Sequence, residues 1–350
     1  MSGKRKKIII ISIISLLVIG ALSAIIGYTY YNKIYKTNIE TKSGKSEFLY
    51  VYPNTPYNNI IDSISEKCHI KSPESLDWVA QIKKYPSLIK PGRYKLKPQM
   101  SNNDLINMLR SGNQAPVKLT FNNIRTKTQL AGKISKYIIA DSLQILNALN
   151  NNNLLEKYGF NSTVVLALFI PNTYEFYWNT SAEKFIDKMH DEYQKFWTDE
   201  RLQKAKEINL TPIQVSILAS IVQAEQSQHK SEQPKIAGVY INRLKQGINL
   251  ESCPTLIYAM GDFTITRVLL KHMEVVSPYN TYKNPGLPPS PIMLPEISAL
   301  DAVLNYEPTD YIFFCAKEDF SGYHYFSKTN AQHEAYARKY QAQLDKRGIK

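Results

Sequence analysis

From Ile8 to Ile26 the chain carries no charged side chain, and the uncharged run continues through Gly27-Tyr28-Thr29-Tyr30-Tyr31. Nothing else in the sequence limits the fold as strongly. A helix of about 20 apolar residues spans the hydrocarbon core of a bilayer, and a lone segment in lipid satisfies its own backbone N–H and C=O groups only as a helix. The tyrosines that close the run suit the headgroup level. A cleaved signal peptide is the alternative, but its apolar core is usually about 7–15 residues and ends in a small-residue cleavage site. This run is longer and has no clear A-x-A pattern, so an uncleaved transmembrane helix is expected over residues 8–30. Lys4, Arg5, Lys6 and Lys7 abut it, which by the positive-inside rule makes residues 1–7 a cytoplasmic tail and puts the folded part outside the cytoplasmic membrane. Lys33, Lys36, Lys42 and Lys45 follow the span, so the asymmetry lies in clustering rather than in count.

A chain of 350 residues is long enough for more than one folded part. Residues 31–46 are mostly polar and read as a linker. Glu47 to Tyr52 alternates as a strand and stops at Pro53. Helical spacing follows at Ile60, Ile61 and Ile64 and again around Trp78, Val79 and Ile82; Arg93 to Leu96 is a short strand, and Ser101 starts a helix that Gly112 stops. Residues 47–115 thus form a small α+β unit with few chemically suggestive side chains, fit for binding or positioning. In residues 116–350 a strand over Val117 to Phe121 and a helix over Gln129 to Ile139 precede an aromatic-dense stretch from Leu168 to Trp178. Helices are expected at Ala182 to Glu207, Thr211 to about Ser227, and Gln233 to Lys245.

The net charge of +13 is compatible with nucleic acid, anionic lipid or an anionic cell-wall polymer. No nucleic-acid module is present, since there is no paired Cys/His zinc spacing and no RNP-type motif. Cys68, Cys253 and Cys315 are too few for a disulfide framework. None of the six histidines falls in an H-E-x-x-H or similar pattern, so no metal site is expected. G-x-S-x-G elbows and phosphate-cradling glycine loops are absent, no serine is read as an acyl-transfer nucleophile, and no cofactor is called for. What remains is carboxylate chemistry.

Thr211, Pro212 and Gln214 form a capped helix start, and Gln214, Ile217, Leu218, Ile221, Val222 and Glu225 share one face of that helix. A carboxyl at the end of an aliphatic stripe loses solvation, which raises its pKa and lets it hold a proton for a leaving group. The same placement also fits a helix end meeting solvent beside His229 and Lys230. Glycoside cleavage by the usual route needs a second carboxyl, for which Glu232 and Glu251 are the nearest downstream. Glu232 equally suits a helix N-terminus, where an acid complements the dipole. The loops Ser277 to Tyr282 and Gly286 to Ile292 offer aromatic rings, an amide and rigid prolines fit for a sugar groove, or they are Pro-constrained surface loops with tyrosines packed inward.

In chain order these segments resemble the YceG-like family of endolytic murein transglycosylases. Lys90-Pro91-Gly92-Arg93-Tyr94 and Ser111-Gly112 resemble its LysM-like module, and Ile170-Pro171-Asn172-Thr173-Tyr174 its F-P-D-T-Y segment, with Asn172 for the usual Asp. Leu218 to Glu225 is similar to L-A-S-I-V-E-K-E, whose last Glu, the family's catalytic acid, falls on Glu225; Gln223 replaces the earlier one. Val239 to Leu244, Pro254 to Tyr258, Ser277 to Tyr282, Gly286 to Pro289, and the pattern of His324, Phe326, Thr329 and His333 continue the match. Leu250-Glu251-Ser252-Cys253-Pro254-Thr255 departs from L-Q-S-D-P-T at Glu251 and Cys253.

The resemblance implies an α+β fold with one N-terminal transmembrane helix, a small LysM-like module, and a larger mixed α+β catalytic domain with a lysozyme-like helical region. It implies a single-pass protein of the bacterial cytoplasmic membrane, with its body on the outer, periplasmic side. That protein would cut nascent peptidoglycan strands between N-acetylmuramic acid and N-acetylglucosamine, leave 1,6-anhydro ends and so limit strand length. Glu225 is then the acid. Glu232, Asn242, Arg243, Thr255, Tyr258, Tyr279, Asn280, Tyr282 and His324 hold the site or the glycan, and peptidoglycan synthases are candidate partners. The rival readings are a non-catalytic, membrane-tethered peptidoglycan-binding scaffold and an ordinary hydrolase using Glu232 or Glu251.

Overall fold

The computed structural model describes residues 3–265 and 267–348; of the expected tail, Met1 and Ser2 lie outside the described residues. The fold is mixed α+β with a long apolar N-terminal helix, and the chain divides into two compact units, residues 3–117 with 175–179 and residues 118–174 with 180–348.

In the first unit the elements are α1 (Gly3–Tyr35), β1 (Thr37–Thr41), β2 (Glu47–Val51), α2 (Tyr57–Lys67), β3 (Cys68–Ile70), α3 (Pro73–Ile82), β4 (Gly92–Leu96), β5 (Gln99–Ser101) and α4 (Asn102–Ser111). The apolar length of α1 has a mean hydropathy of 2.9 with none of it buried. Its last turn joins the unit: Lys33 O accepts from Asn102 Nδ2 at 2.9 Å, and Tyr30 stacks on Trp78 with centroids 5.3 Å apart.

Residues 31–46 are not a linker. The anchor helix runs to Tyr35, and β1 is the centre of the antiparallel sheet β3-β1-β5. Ile39 pairs with Ile70 on one side and Met100 on the other and is fully buried. Polar groups lock the strand in place, since Asn38 Nδ2 donates to Ser72 O and Asn102 Oδ1 while Asn38 Oδ1 accepts from Ser72 N. A strand held by buried amides has no alternating apolar signature to read. The strand β2 pairs antiparallel with β4, Leu49 opposite Tyr94, and Leu49, Ile60, Leu76, Tyr94 and Leu105 lie in one core.

The remaining elements are β6 (Val117–Thr120), α5 (Lys127–Ile134), α6 (Ser142–Asn150), α7 (Asn152–Leu155), β7 (Thr173–Phe176), α8 (Ala182–Phe196), α9 (Asp199–Glu207), α10 (Pro212–Glu225), α11 (Gln233–Gln246), α12 (Cys253–Met260), α13 (Ile297–Leu304), β8 (Phe313–Ala316), β9 (His324–Ser327) and α14 (Asn330–Lys346). The helix expected over residues 182–207 is two, because Trp197 turns into the core and Thr198 caps a new helix through Arg201 N. A larger difference concerns α10. Every residue from Val215 to Gln223 is buried, so the helix is enclosed on all sides rather than lying with one face inward. Leu218 and Ile221 share a core with Ala237 and Tyr240 of α11 and Leu300 and Val303 of α13. The strands β8 and β9 pair antiparallel, Ala316 opposite His324.

Candidate active site

The capping box at the start of α10 forms as its sequence dictates, with Gln214 N donating to Thr211 Oγ1 at 3.3 Å and Thr211 N to Gln214 Oε1 at 2.8 Å. That cap sets the phase of a helix whose last residue is Glu225, on the lining of a cavity of about 520 Å³. Glu225 Oε1 accepts two hydrogen bonds, from Tyr240 Oη at 2.7 Å and Ser252 Oγ at 2.6 Å. Among the described residues no donor is recorded on Oε2. Burial pushes the Glu225 carboxyl above its ordinary value, against the opposing effect of the Ser252 and Tyr240 hydrogen bonds and the His324 charge. The Tyr240 phenol is driven well above its usual range, first by burial and then by the Glu225 charge, so it stays a donor.

Glu232 has a different job. Its carboxylate accepts from His324 Nδ1 at 2.7 Å, His324 N at 3.0 Å and Gln226 Nε2 at 2.9 Å. Burial works against its charge, yet the His324 ring and backbone hydrogen bonds, Gln226 and the His324 charge together hold the carboxyl below its ordinary value. It is not a helix-dipole acid alone, as its position at the start of α11 implied. It fixes His324, which lines the Glu225 cavity from β9.

Residues 49–339 match the YceG-like family. The chain belongs to that family. It is 29% identical to an endolytic murein transglycosylase of Bacillus subtilis, the match covering 90% of each protein. An endolytic murein transglycosylase of Streptococcus pneumoniae is 26% identical over 92% of this chain, which spans 64% of that longer protein. A crystal structure described as a YceG-like protein from Listeria monocytogenes superposes with a TM-score of 0.56 and 26% identity, over 83% of this chain and 98% of that one.

Within this YceG-like chain the other expected site residues fall into two groups. Tyr282 lines the Glu225 cavity and its hydroxyl is 3.2 Å from Cys253 Sγ. Tyr258 lines a separate cavity of about 710 Å³ that adjoins the last turn of α10 at Gln223 and Ala224. Tyr279 packs on Tyr258 at 4.8 Å between centroids, with its hydroxyl 2.6 Å from Ser290 Oγ. The rest support the scaffold. Asn280 is fully buried and donates to Met273 O and Val275 O, so its amide folds its own loop and is not presented to a sugar. Thr255 bonds Ser252 O and Thr281 Oγ1, while Thr281 Oγ1 accepts from Ser252 N. These bonds aim Ser252 at Glu225. Asn242 donates to Thr309 O and Tyr311 O.

Arg243 donates to Ile312 O, Asn249 O and Leu250 O, and its Nη1 lies 2.9 Å from Glu251 Oε2. Glu251, at a left-handed φ of 54°, also lines the Glu225 cavity. Tyr240 and Ser252 were not singled out from sequence. The available signal was a tyrosine on the buried side of α11, whose hydroxyl needs a partner once enclosed. Among the described residues no group of three or more His, Cys, Asp or Glu side chains is placed to hold a metal ion.

Proposed function

We propose that the chain is an endolytic peptidoglycan lytic transglycosylase, anchored by α1 in the bacterial cytoplasmic membrane with its body on the periplasmic side. Residues 37–117 act as a LysM-like positioning module and the second unit, from residue 118, as the catalytic domain. The observation that carries this reading is the asymmetry of the Glu225 carboxyl: both donors sit on Oε1, and burial favours the protonated form. Oε2 then holds the proton. In the reaction Glu225 gives that proton to the glycosidic oxygen as the bond to C1 of N-acetylmuramic acid breaks. The resulting carboxylate takes the proton of the muramic C6 hydroxyl while its oxygen closes on C1. The products are a 1,6-anhydro end and a free hydroxyl, no water is consumed, and Glu225 is again protonated. One carboxyl suffices because the substrate supplies its own nucleophile.

Hydrolysis is a second reading, because Glu251 lines the same cavity and is a second carboxylate there. Digestion of purified peptidoglycan with the full-length protein in detergent, followed by mass spectrometry, separates the two. Muropeptide ends lighter by one water are expected; reducing ends instead mean hydrolysis, and no cleavage leaves a binding scaffold. Glu225→Gln should lower the cleavage rate by about 10²- to 10⁴-fold, the range of a general acid. Glu251→Gln should cleave with the same anhydro products.

A further inference from the structure

The larger cavity beside α10 is not accounted for by the chemistry at Glu225. Its volume of about 710 Å³ is in the range of ligand sites, and its polar lining has a definite sign. Gln223 is 5% exposed and its Oε1 accepts from Glu296 N at 2.5 Å. Its Nε2 has no acceptor among the described residues, and it is not one of the sealed-off polar atoms, so it is a donor open to the cavity. Arg125 lines the same space with its guanidinium 4.5 Å from the Phe263 ring centroid and no carboxylate within ion-pair distance among the described residues. Lys230 is already neutralised by Glu296 at 2.5 Å. Among the described residues, one uncompensated cation and one free N–H donor therefore face a cavity whose lining carboxylate, Glu296, is paired.

Gln223 brings a donor and no charge to this cavity. An anion is the ligand that matches it and Arg125 together, because a guanidinium and an amide N–H both donate to carboxylate oxygens. We propose that this cavity binds a carboxylate carried by the substrate strand, on the peptide attached to N-acetylmuramic acid or, where no peptide is attached, on the lactyl arm itself, with Arg125 and Gln223 Nε2 as its donors. The inference rests on the reading of Glu225 as the acid acting on such a strand. The two cavities adjoin where consecutive residues line one and then the other, Ala224 before Glu225 and Cys253 before Pro254. A strand cut at Glu225 therefore lies beside the cavity that Arg125 lines.

The test compares full-length wild type, Arg125→Gln and Gln223→Glu on three soluble substrates: peptide-bearing strands, strands stripped of peptide, and peptide-bearing strands whose carboxyls have been converted to amides. Gln223→Glu keeps the acceptor for Glu296 N while replacing the amide donor with a negative charge. On carboxylate-bearing strands each variant should raise KM about tenfold with kcat changed little, the effect of losing one charge-assisted hydrogen bond. On amidated strands the variants and wild type should have the same KM. A loss on peptide-bearing strands alone assigns the peptide carboxylate; a loss on stripped strands alone assigns the lactyl one, which is free only where the peptide is gone, and an equal loss on both means that the site takes either. If the variants match wild type on every substrate, or lose as much on amidated strands, the cavity is not a carboxylate site. Wild type that cleaves none of the three overturns the reading of Glu225 instead.

Discussion

Glu225 and Glu232 are close in sequence, and their surroundings push their acidities in opposite directions, up for Glu225 and down for Glu232. Such divergence separates a proton donor from a fixed anion. It also gives the two residues opposite signs in the pH dependence of stability. With its folded value raised above 4.5, Glu225 supports the fold below that pH and works against it as pH rises through the folded value. Glu225→Gln should therefore melt at a higher temperature than wild type at neutral pH, with the gap closing under acid. Glu232, lowered from 4.5, stabilises above that pH and loses its contribution as pH falls through the folded value. Glu232→Gln should melt lower at neutral pH and converge with wild type in acid. Melting curves from about pH 3 to pH 8 check both, and parallel offsets at all pH values would contradict the assignment. Tyr240 bears on the reaction itself. Tyr240→Phe removes a hydrogen bond that holds the Glu225 pKa down, so the basic limb of kcat/KM should move to higher pH while the rate falls about tenfold. An unmoved limb would leave Tyr240 a packing residue only. The place of Glu225 at the end of α10 was legible from the helix signals, whereas its bond to Ser252 gave no local sign, because a serine on a loop reveals its partner only when α10 and the 249–255 segment come together.

At the scale of elements, the site depends on how closely α11 is seated. A Cβ built on Gly238 would stand 2.4 Å from the Glu307 backbone oxygen, and Glu307 N donates to Pro234 O at 3.0 Å. No side chain lies between the helix and that backbone. Gly238→Ala should therefore destabilise the fold by about 1–3 kcal/mol, the usual result of overpacking, although alanine is the better helix former. Because Tyr240 follows two positions on, activity should fall more than the melting temperature alone explains. A variant as stable and active as wild type would show that the 305–307 segment yields freely. The helices were the readable part of this architecture, since the capping box of α10 and the left-handed Gly247 that ends α11 are local events. Of the strands, β2, β4 and β6 were readable and the others were not. In β1 a single apolar residue, Ile39, carries the central position, and β8 is partly exposed at every residue, so neither displays the period-two pattern that marks a half-buried strand. The break between α8 and α9 was hidden for a related reason: Trp197 leaves the helix for the core, a tertiary choice that overrides continuous helical propensity.

For the molecule as a whole, α1 bears on where the proposed reaction would take place. Its exposed apolar length, with a mean hydropathy of 2.9, is far more than a water-soluble body leaves uncovered, so lipid must cover it for as long as it is attached. An anchor and a cleaved signal sequence both meet that condition, and they differ in what becomes of the C-terminal end of the helix. Asn102 donates to Lys33 O, Trp78 lies against Tyr30 and Lys33, and Lys36 N donates to Asn32 O at the start of β1. Cleavage after the apolar run would leave only a stub of one or two turns to present these groups, and so short a helix is marginal in water. An intact anchor keeps that turn wound and with it the entry into the central strand of the first unit. The mature protein should therefore sediment with membranes, resist high salt, dissolve in detergent and retain residues 1–30 by N-terminal sequencing. A chain begun at Lys36 should be water-soluble and melt at a lower temperature, because Trp78 loses Tyr30 and Lys33 and Asn102 loses the Lys33 carbonyl. A soluble mature form starting near Tyr28, as stable as the full chain, would make α1 a targeting segment, and the reaction at Glu225 would then not be tied to the membrane surface.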